Sequence, residues 1–175
     1  SRLRLPAWGV LWDLGAGSGS VGIEAAALRP DLDVWAVEKN SSRLRDMEEN
    51  RRACGVTNYH IIGGDISEKI SSLPNPSRVF IGGGGRDIAG ILKAALLRLA
   101  PGGLAVVSAV TMETVAALTG LFPQLRLSAV SLSVSEERDF GPNLHMMAPE
   151  HQVYLFSYRA PEPGSITPAA PLGGA

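Results

Sequence analysis

The sequence has little cysteine, little lysine and no long apolar run. A single cysteine, Cys54, excludes an internal disulfide and points to a reducing, cytoplasmic setting. It falls on a predicted helix, where packing is the expected role. Three lysines and a formal net charge of −1 provide no basic field to draw the protein to nucleic acid or anionic lipid. No apolar run reaches the roughly 18 residues of a membrane span, and the opening SRLRLPAWG lacks a signal-peptide apolar region. There is no metal-ligand cluster, His–Asp pair or nucleophile elbow that must act. No metal is therefore expected, and no catalytic residue is assigned.

What is present is a 175-residue chain with 45% hydrophobic and 19% charged residues, enough for one domain with a full core. Short runs rich in Val, Ile and Leu (VLWDLG, DVWAVE, YHIIGGD, RVFIG, LAVVSAV) alternate with helical stretches (SVGIEAAALR, SRLRDMEENRRACG, DIAGILKAALLRLAPGG, METVAALTGLF). Buried apolar strands alternating with helices predict an α/β fold with a doubly wound, mostly parallel sheet. LRLSAVSLSVS and HQVYLFSYR alternate more, which predicts an antiparallel edge hairpin and completes a seven-stranded sheet. The domain is expected over 1–159. The Pro/Gly/Ala-rich stretch 160–175 has little to bury and reads as a tail. The first strand starts so early that an N-terminal segment is expected to be missing.

The strongest motif is DLGAGSGSVGIEAA, in which an apolar strand feeds a glycine loop that opens a helix. Gly15, Gly17 and Gly19 permit a tight turn and a bare backbone, and the helix start adds free N–H groups. The dinucleotide pattern G-x-G-x-x-G fails, because its third glycine would fall on Ser20. The spacing D-x-G-x-G-x-G from Asp13 resembles instead the first motif of Rossmann-like, class I S-adenosyl-L-methionine-dependent methyltransferases. In that resemblance Asp13 or the carbonyls of Gly15, Ala16, Gly17, Ser18 and Gly19 take the methionine ammonium. Glu38, at the end of the second strand, takes the ribose hydroxyls. Asp65 and Ile66, past the third strand, hold the adenine. Each has a plainer reading: a turn, a solvated strand end, a helix cap.

The fourth strand ends in VFIGGGG, and four consecutive glycines offer neither a base nor a stacking ring. They offer space and backbone N–H groups, which suits a large flat acceptor. LWDLGAGSGSVGIEAA, VFIGGGG and SAVTMET together resemble the decarboxylating precorrin methyltransferases of cobalamin biosynthesis, from roughly Gly9 to Tyr158. The family's F-I-G-G falls on Phe80 to Gly83, and its A-V-T-L-E falls on Ala109 to Glu113 with Met112 in the Leu position.

That resemblance implies methylation at C15 of precorrin-6B or its cobalt form, with decarboxylation of the C12 acetate. It also implies a homotetramer and, in fused relatives, a C5-methyltransferase domain or subunit as partner. Gly82 and Gly83 would border the macrocycle. The family's N-terminal Thr–Lys segment is not in this chain, and its late N-P-V is here His151–Gln152–Val153. For a polycarboxylate acceptor the candidate contacts are Arg86, Arg138 and His145, with Thr111 and Glu113 facing the ring or capping the next helix. An RNA or other small-molecule class I methyltransferase is the alternative, and a non-enzymatic partner with a dead pocket is a further one.

Overall fold

Five of the apolar runs form the parallel part of one sheet. Strand β1 (Trp8–Leu14) pairs with β2 (Asp31–Glu38) on one side and β4 (Arg78–Ile81) on the other. Strand β3 (Tyr59–Gly63) lies outside β2, and β5 (Leu104–Ala109) outside β4. Beyond β5 comes β9 (Val153–Arg159), antiparallel to it. Last is β6 (Arg126–Leu132), antiparallel to β9 and so aligned with β5. The order is β3-β2-β1-β4-β5-β9-β6, and only β9 runs against the rest. This computed structural model describes residues 2–83 and 85–162, without the Arg86 side chain. Gly84 and residues 163–175 of the expected tail lie outside it.

Strict alternation sends each strand's side chains to two cores. Trp12, Leu14, Val37, Val79, Ile81 and Val107 face α4 (Ile88–Arg98) and α5 (Met112–Gly120). Leu11, Val34, Ala36 and Val106 face α1 (Ser20–Leu28) and α2 (Ser41–Ala53). Asp13 belongs to the second set, so its carboxyl points under α1. The helix starts explain themselves locally: Asn40 accepts from the Ser42 and Arg43 N–H groups, and Thr111 accepts from the Thr114 N–H. Asp65 likewise caps α3 (Ile66–Lys69), a one-turn helix that the apolar pattern is too short to announce.

Two expectations are corrected. Cys54 is exposed, because it caps the end of α2 beyond the turn where Met47 is fully buried. The two late strands do pair, but they are not joined by a simple loop. Between them stand β7 (Ser135–Gly141) and β8 (Leu144–Pro149), a separate antiparallel ribbon. His145 is therefore on a strand. The ribbon has no core of its own and exposes Phe140, Leu144 and Met147.

Arg98 ties α4 to the loop that leads into β4. Its guanidinium donates to the carbonyls of Ile70 and Leu73 and to Asn75 Oδ1, and sits 5.1 Å from the centre of the Trp12 ring. The Trp12 indole N–H in turn donates to the Pro74 carbonyl at 2.9 Å. Charge-assisted bonds to a planar fork combine with a cation–π contact. Arg98→Ala should therefore lower the unfolding free energy by about 2–4 kcal/mol in urea titration. Arg98→Lys should recover less than half of that, since an ammonium cannot span three acceptors.

Candidate active site at the carboxyl ends of the strands

The glycine loop after β1 is held from three sides. Gly15 and Ala16 donate to the Val37 carbonyl at 2.9 and 3.1 Å, which stitches the loop to the end of β2. Asn50 of α2 donates to the Ser18 carbonyl at 2.9 Å. Gly17 donates to Glu38 Oε2 at 2.9 Å, while Glu38 Oε1 accepts from the Lys39 and Asn40 N–H groups. Glu38 thus stands at the loop's rim, its backbone fixed by β2 and its carboxylate by three N–H groups.

The fourth strand's glycines meet this loop directly. A Cβ on Gly15 would lie 2.4 Å from the Gly83 carbonyl oxygen and 2.8 Å from its nitrogen. A Cβ on Gly82 would lie 3.1 Å from the Gly15 carbonyl oxygen, and Gly82 N–H donates to Leu14 at 2.9 Å. The first partner of these glycines is therefore another main chain. Gly15 also holds φ +70°, a left-handed conformation that side chains resist. Around this contact opens a cleft of about 470 Å³, lined by Gly15, Glu38, Lys39, Asp65, Ile66, Gly83, Gly85, Asp87 and Ile91. That volume suits a bound nucleoside with an attached amino acid.

Of the sequence candidates, Gly15, Glu38, Asp65, Ile66 and Gly83 line the cleft. Ala16, Gly17, Ser18 and Gly19 form the loop beside it. Asp65 does two things at once: its Oδ1 accepts from the Ser67 N–H and hydroxyl, and its Oδ2 faces Lys39 Nζ at 3.7 Å. The Ser67 bonds, with help from Lys39, hold its carboxyl below the ordinary carboxylate range. Thr111 and Glu113 sit exposed at the start of α5, off the cleft's lining, and Thr111 caps that helix. Arg138 and His145 are not brought to the cleft. On the ribbon, Arg138 pairs with Glu150, while His145 lies 3.1 Å from Asp139 and 3.4 Å from Glu137. Arg86 lies on the turn Gly85–Asp87, and its side chain is outside the described residues. Sequence reasoning missed Lys39, Asp87 and Ile91. No signal marked the last two, since the glycine run before them leaves the direction of the following turn unspecified.

Asp13 is not in the cleft but beneath its floor. It is 1% exposed, accepts from the Gly22 N–H at 3.0 Å through Oδ2, and leaves Oδ1 without a partner. The Tyr59 hydroxyl, also buried and unpaired, lies under the same loop: a Cβ on Gly19 would be 2.7 Å from it. Burial pushes the Asp13 carboxyl up to about 7, partly offset by the Gly22 bond and reinforced by the Glu38 charge.

The sequence matches the family described as "Precorrin methyltransferase domain" over residues 1–160. The chain belongs to the precorrin methyltransferase family. Within it, the chain is 33% identical over 165 residues to the cobalt-precorrin-6B C(15)-methyltransferase (decarboxylating) of Salmonella typhimurium, covering 93% of this chain and 84% of that protein. It is 32% identical over 132 residues to a precorrin-6Y C(5,15)-methyltransferase [decarboxylating] of Sinorhizobium sp, covering 75% of this chain but only 32% of that protein. The chain thus spans about a third of that longer relative. A solved precorrin-6Y C5,15-methyltransferase from Geobacter metallireducens superposes with a TM-score of 0.84 at 31% identity, covering 90% of this chain and 83% of that one. The sheet and its glycine loop are accordingly those of a class I methyltransferase.

Three outcomes follow for this precorrin methyltransferase domain. Gly15→Ala should destabilise the fold by more than about 2 kcal/mol in urea titration, since main chain cannot yield as a side chain can. Gly17→Ala, whose Cβ meets nothing within 4 Å, should cost only the left-handed strain of about 1 kcal/mol. Asp13 sets a pH dependence. Its folded carboxyl is raised from 3.8 to about 7, so its contribution favours the fold fully below about pH 4 and is lost as pH rises through 7. Asp13→Asn, whose amide oxygen still accepts from Gly22, should flatten urea midpoints between pH 4 and 8. It should raise stability at pH 8 by roughly 2–4 kcal/mol.

Proposed function

We propose that this domain is an S-adenosyl-L-methionine-dependent C-methyltransferase that methylates C15 of precorrin-6B or cobalt-precorrin-6B and decarboxylates its C12 acetate. The observation that carries this reading is the Gly15–Gly83 contact, which keeps side chains out of the cleft where Glu38, Asp65 and Ile66 converge. The residues present fit the donor: a glycine-lined cradle for the amino acid, a carboxylate at the rim for a ribose, and an apolar wall for a ring. When bound, S-adenosyl-L-methionine supplies an electrophilic methyl group on a sulfonium.

The chain's own part is binding and alignment. The loop from Gly15 to Gly19 presents backbone carbonyls and the Ser18 N–H to the methionine, since the Gly15, Ala16, Gly17 and Gly19 N–H groups are already bonded within the chain. Glu38 accepts from the ribose hydroxyls, and Asp65 with Ile66 flanks the base. Asp13 acts from below, through Gly22, on the start of α1. Among the described side chains, three carboxylates, Glu38, Asp65 and Asp87, border the cleft against one lysine, Lys39. That balance favours a cationic donor. Gly82 and Gly83 border the acceptor, with Thr111 and Glu113 at the neighbouring strand end and Arg86 on the turn between. The acceptor's conjugated ring nitrogens take up the electron pair released when the C–CO2 bond breaks, and the former acetate carbon then gains a proton to become a methyl group; the reading assigns that proton to no residue of the chain.

We further read the domain as a homo-oligomer, a tetramer by resemblance to its family. Exposed Phe140, Leu144, Met146 and Met147 on the β7–β8 ribbon support this, since an isolated two-stranded ribbon is marginal in water. A C5-methyltransferase domain or subunit as partner, and a cytoplasmic location, belong to the same reading. No helix among the described residues is long and apolar enough to cross a membrane. The test is incubation with labelled S-adenosyl-L-methionine and precorrin-6B or its cobalt form, following product mass. One methyl gained with one carbon dioxide lost is expected; transfer to neither acceptor would overturn the proposal.

A further inference from the structure

The cleft's two outer carboxylates differ in how far they are already committed. Asp65 caps α3: its Oδ1 takes two bonds from Ser67, at 3.0 and 2.8 Å, and its Oδ2 faces Lys39. Asp87 precedes α4 in the position of a cap but makes no capping bond, and it has no hydrogen bond or ion pair among the described residues. What its carboxylate does instead is lean over the first turn of α4. A Cβ on Gly90 would lie 2.5 Å from Asp87 Oδ1, so that glycine leaves it room. Asp87 borders both the main cleft and a smaller apolar notch of about 170 Å³ that opens beside it, lined also by Ile66, Ile70, Gly90, Ile91 and Ala94. Ile66 and Ile91 border both spaces.

Two branched apolar side chains with an uncommitted carboxylate beside them match the edge of a planar heteroaromatic ring carrying an amine. The ring replaces water on the isoleucines, and the amine supplies the N–H that the carboxylate lacks. Asp65, with one oxygen occupied and the other beside an ammonium, is a poorer acceptor for that N–H. We infer that Asp87, not Asp65, is the specificity-determining residue that reads the exocyclic amine of the donor's adenine. This rests on the donor reading given above.

The test compares S-adenosyl-L-homocysteine with S-inosyl-L-homocysteine, in which a carbonyl replaces the amine, by calorimetry. The unaltered protein should prefer the adenosyl ligand by about 10- to 100-fold, the range of one charge-assisted bond. Asp87→Asn, whose amide both accepts and donates, should bring the ratio to within about threefold. Asp87→Ser should do the same by weakening the adenosyl ligand alone. Asp65→Asn should leave the ratio intact. Since Asp87 caps nothing, both Asp87 variants should melt within a few degrees of the parent. The inference fails if Asp65→Asn collapses the ratio while the Asp87 variants keep it, or if the unaltered protein binds both ligands equally. Binding of neither ligand by the unaltered protein would instead overturn the donor reading, and this inference with it.

Discussion

Two stretches of main chain lie in contact at the carboxyl ends of β1 and β4, and the rest of the site depends on that contact. Gly15 and Gly83 approach so closely that a single methyl on Gly15 would sit inside the other's backbone. Because β1 and β4 are neighbours in the sheet, their loops must leave side by side. Side chains would wedge them apart or fill the space above. Bare backbone lets them meet and leaves a cleft walled by the next residues along each strand. Gly15 and, less tightly, Gly82 are thus packing requirements, whereas a Cβ on Gly83 would meet Gly15 only at 3.8 Å, and the open space above them is a consequence of the same missing side chains.

Charge in the site is layered. On the rim, Glu38 is an acceptor held by three backbone N–H groups, which fixes its geometry without neutralising it. Below the floor, Asp13 and Tyr59 are buried with unpaired polar atoms, an arrangement that costs stability and is tolerated where function needs a defined loop. The Glu38 charge reaches down to raise the Asp13 carboxyl further. The loop between them, which would hold the methionine, therefore lies in a field set by two carboxyl groups on opposite sides of it.

Much of the fold was legible because period and polarity agree along β1, β2, β4 and β5, whose residues alternate between two helical layers. The cleft's core was legible for the same reason. Glycine after β1, an acid at the end of β2 and an acid after β3 must converge once those strands are parallel neighbours. Asp87 and Ile91 were not legible, because four glycines specify no direction for the chain that follows. Nor was the ribbon: its strand Ser135–Gly141 is exposed throughout, so SEERDFG carries no hydrophobic period and reads as loop. That is why Arg138 and His145 looked available to a substrate and instead pair across the ribbon.

The most direct measurement of the central claim is a titration of 15N-labelled protein with S-adenosyl-L-homocysteine, following backbone amide shifts. If the paired glycine loops form the donor cradle, the largest changes fall on Gly15, Gly17, Gly83 and Ile66, with the ribbon residues Ser135–Pro149 unmoved. Saturable binding that shifts other amides and leaves Gly15 and Gly83 in place would contradict it.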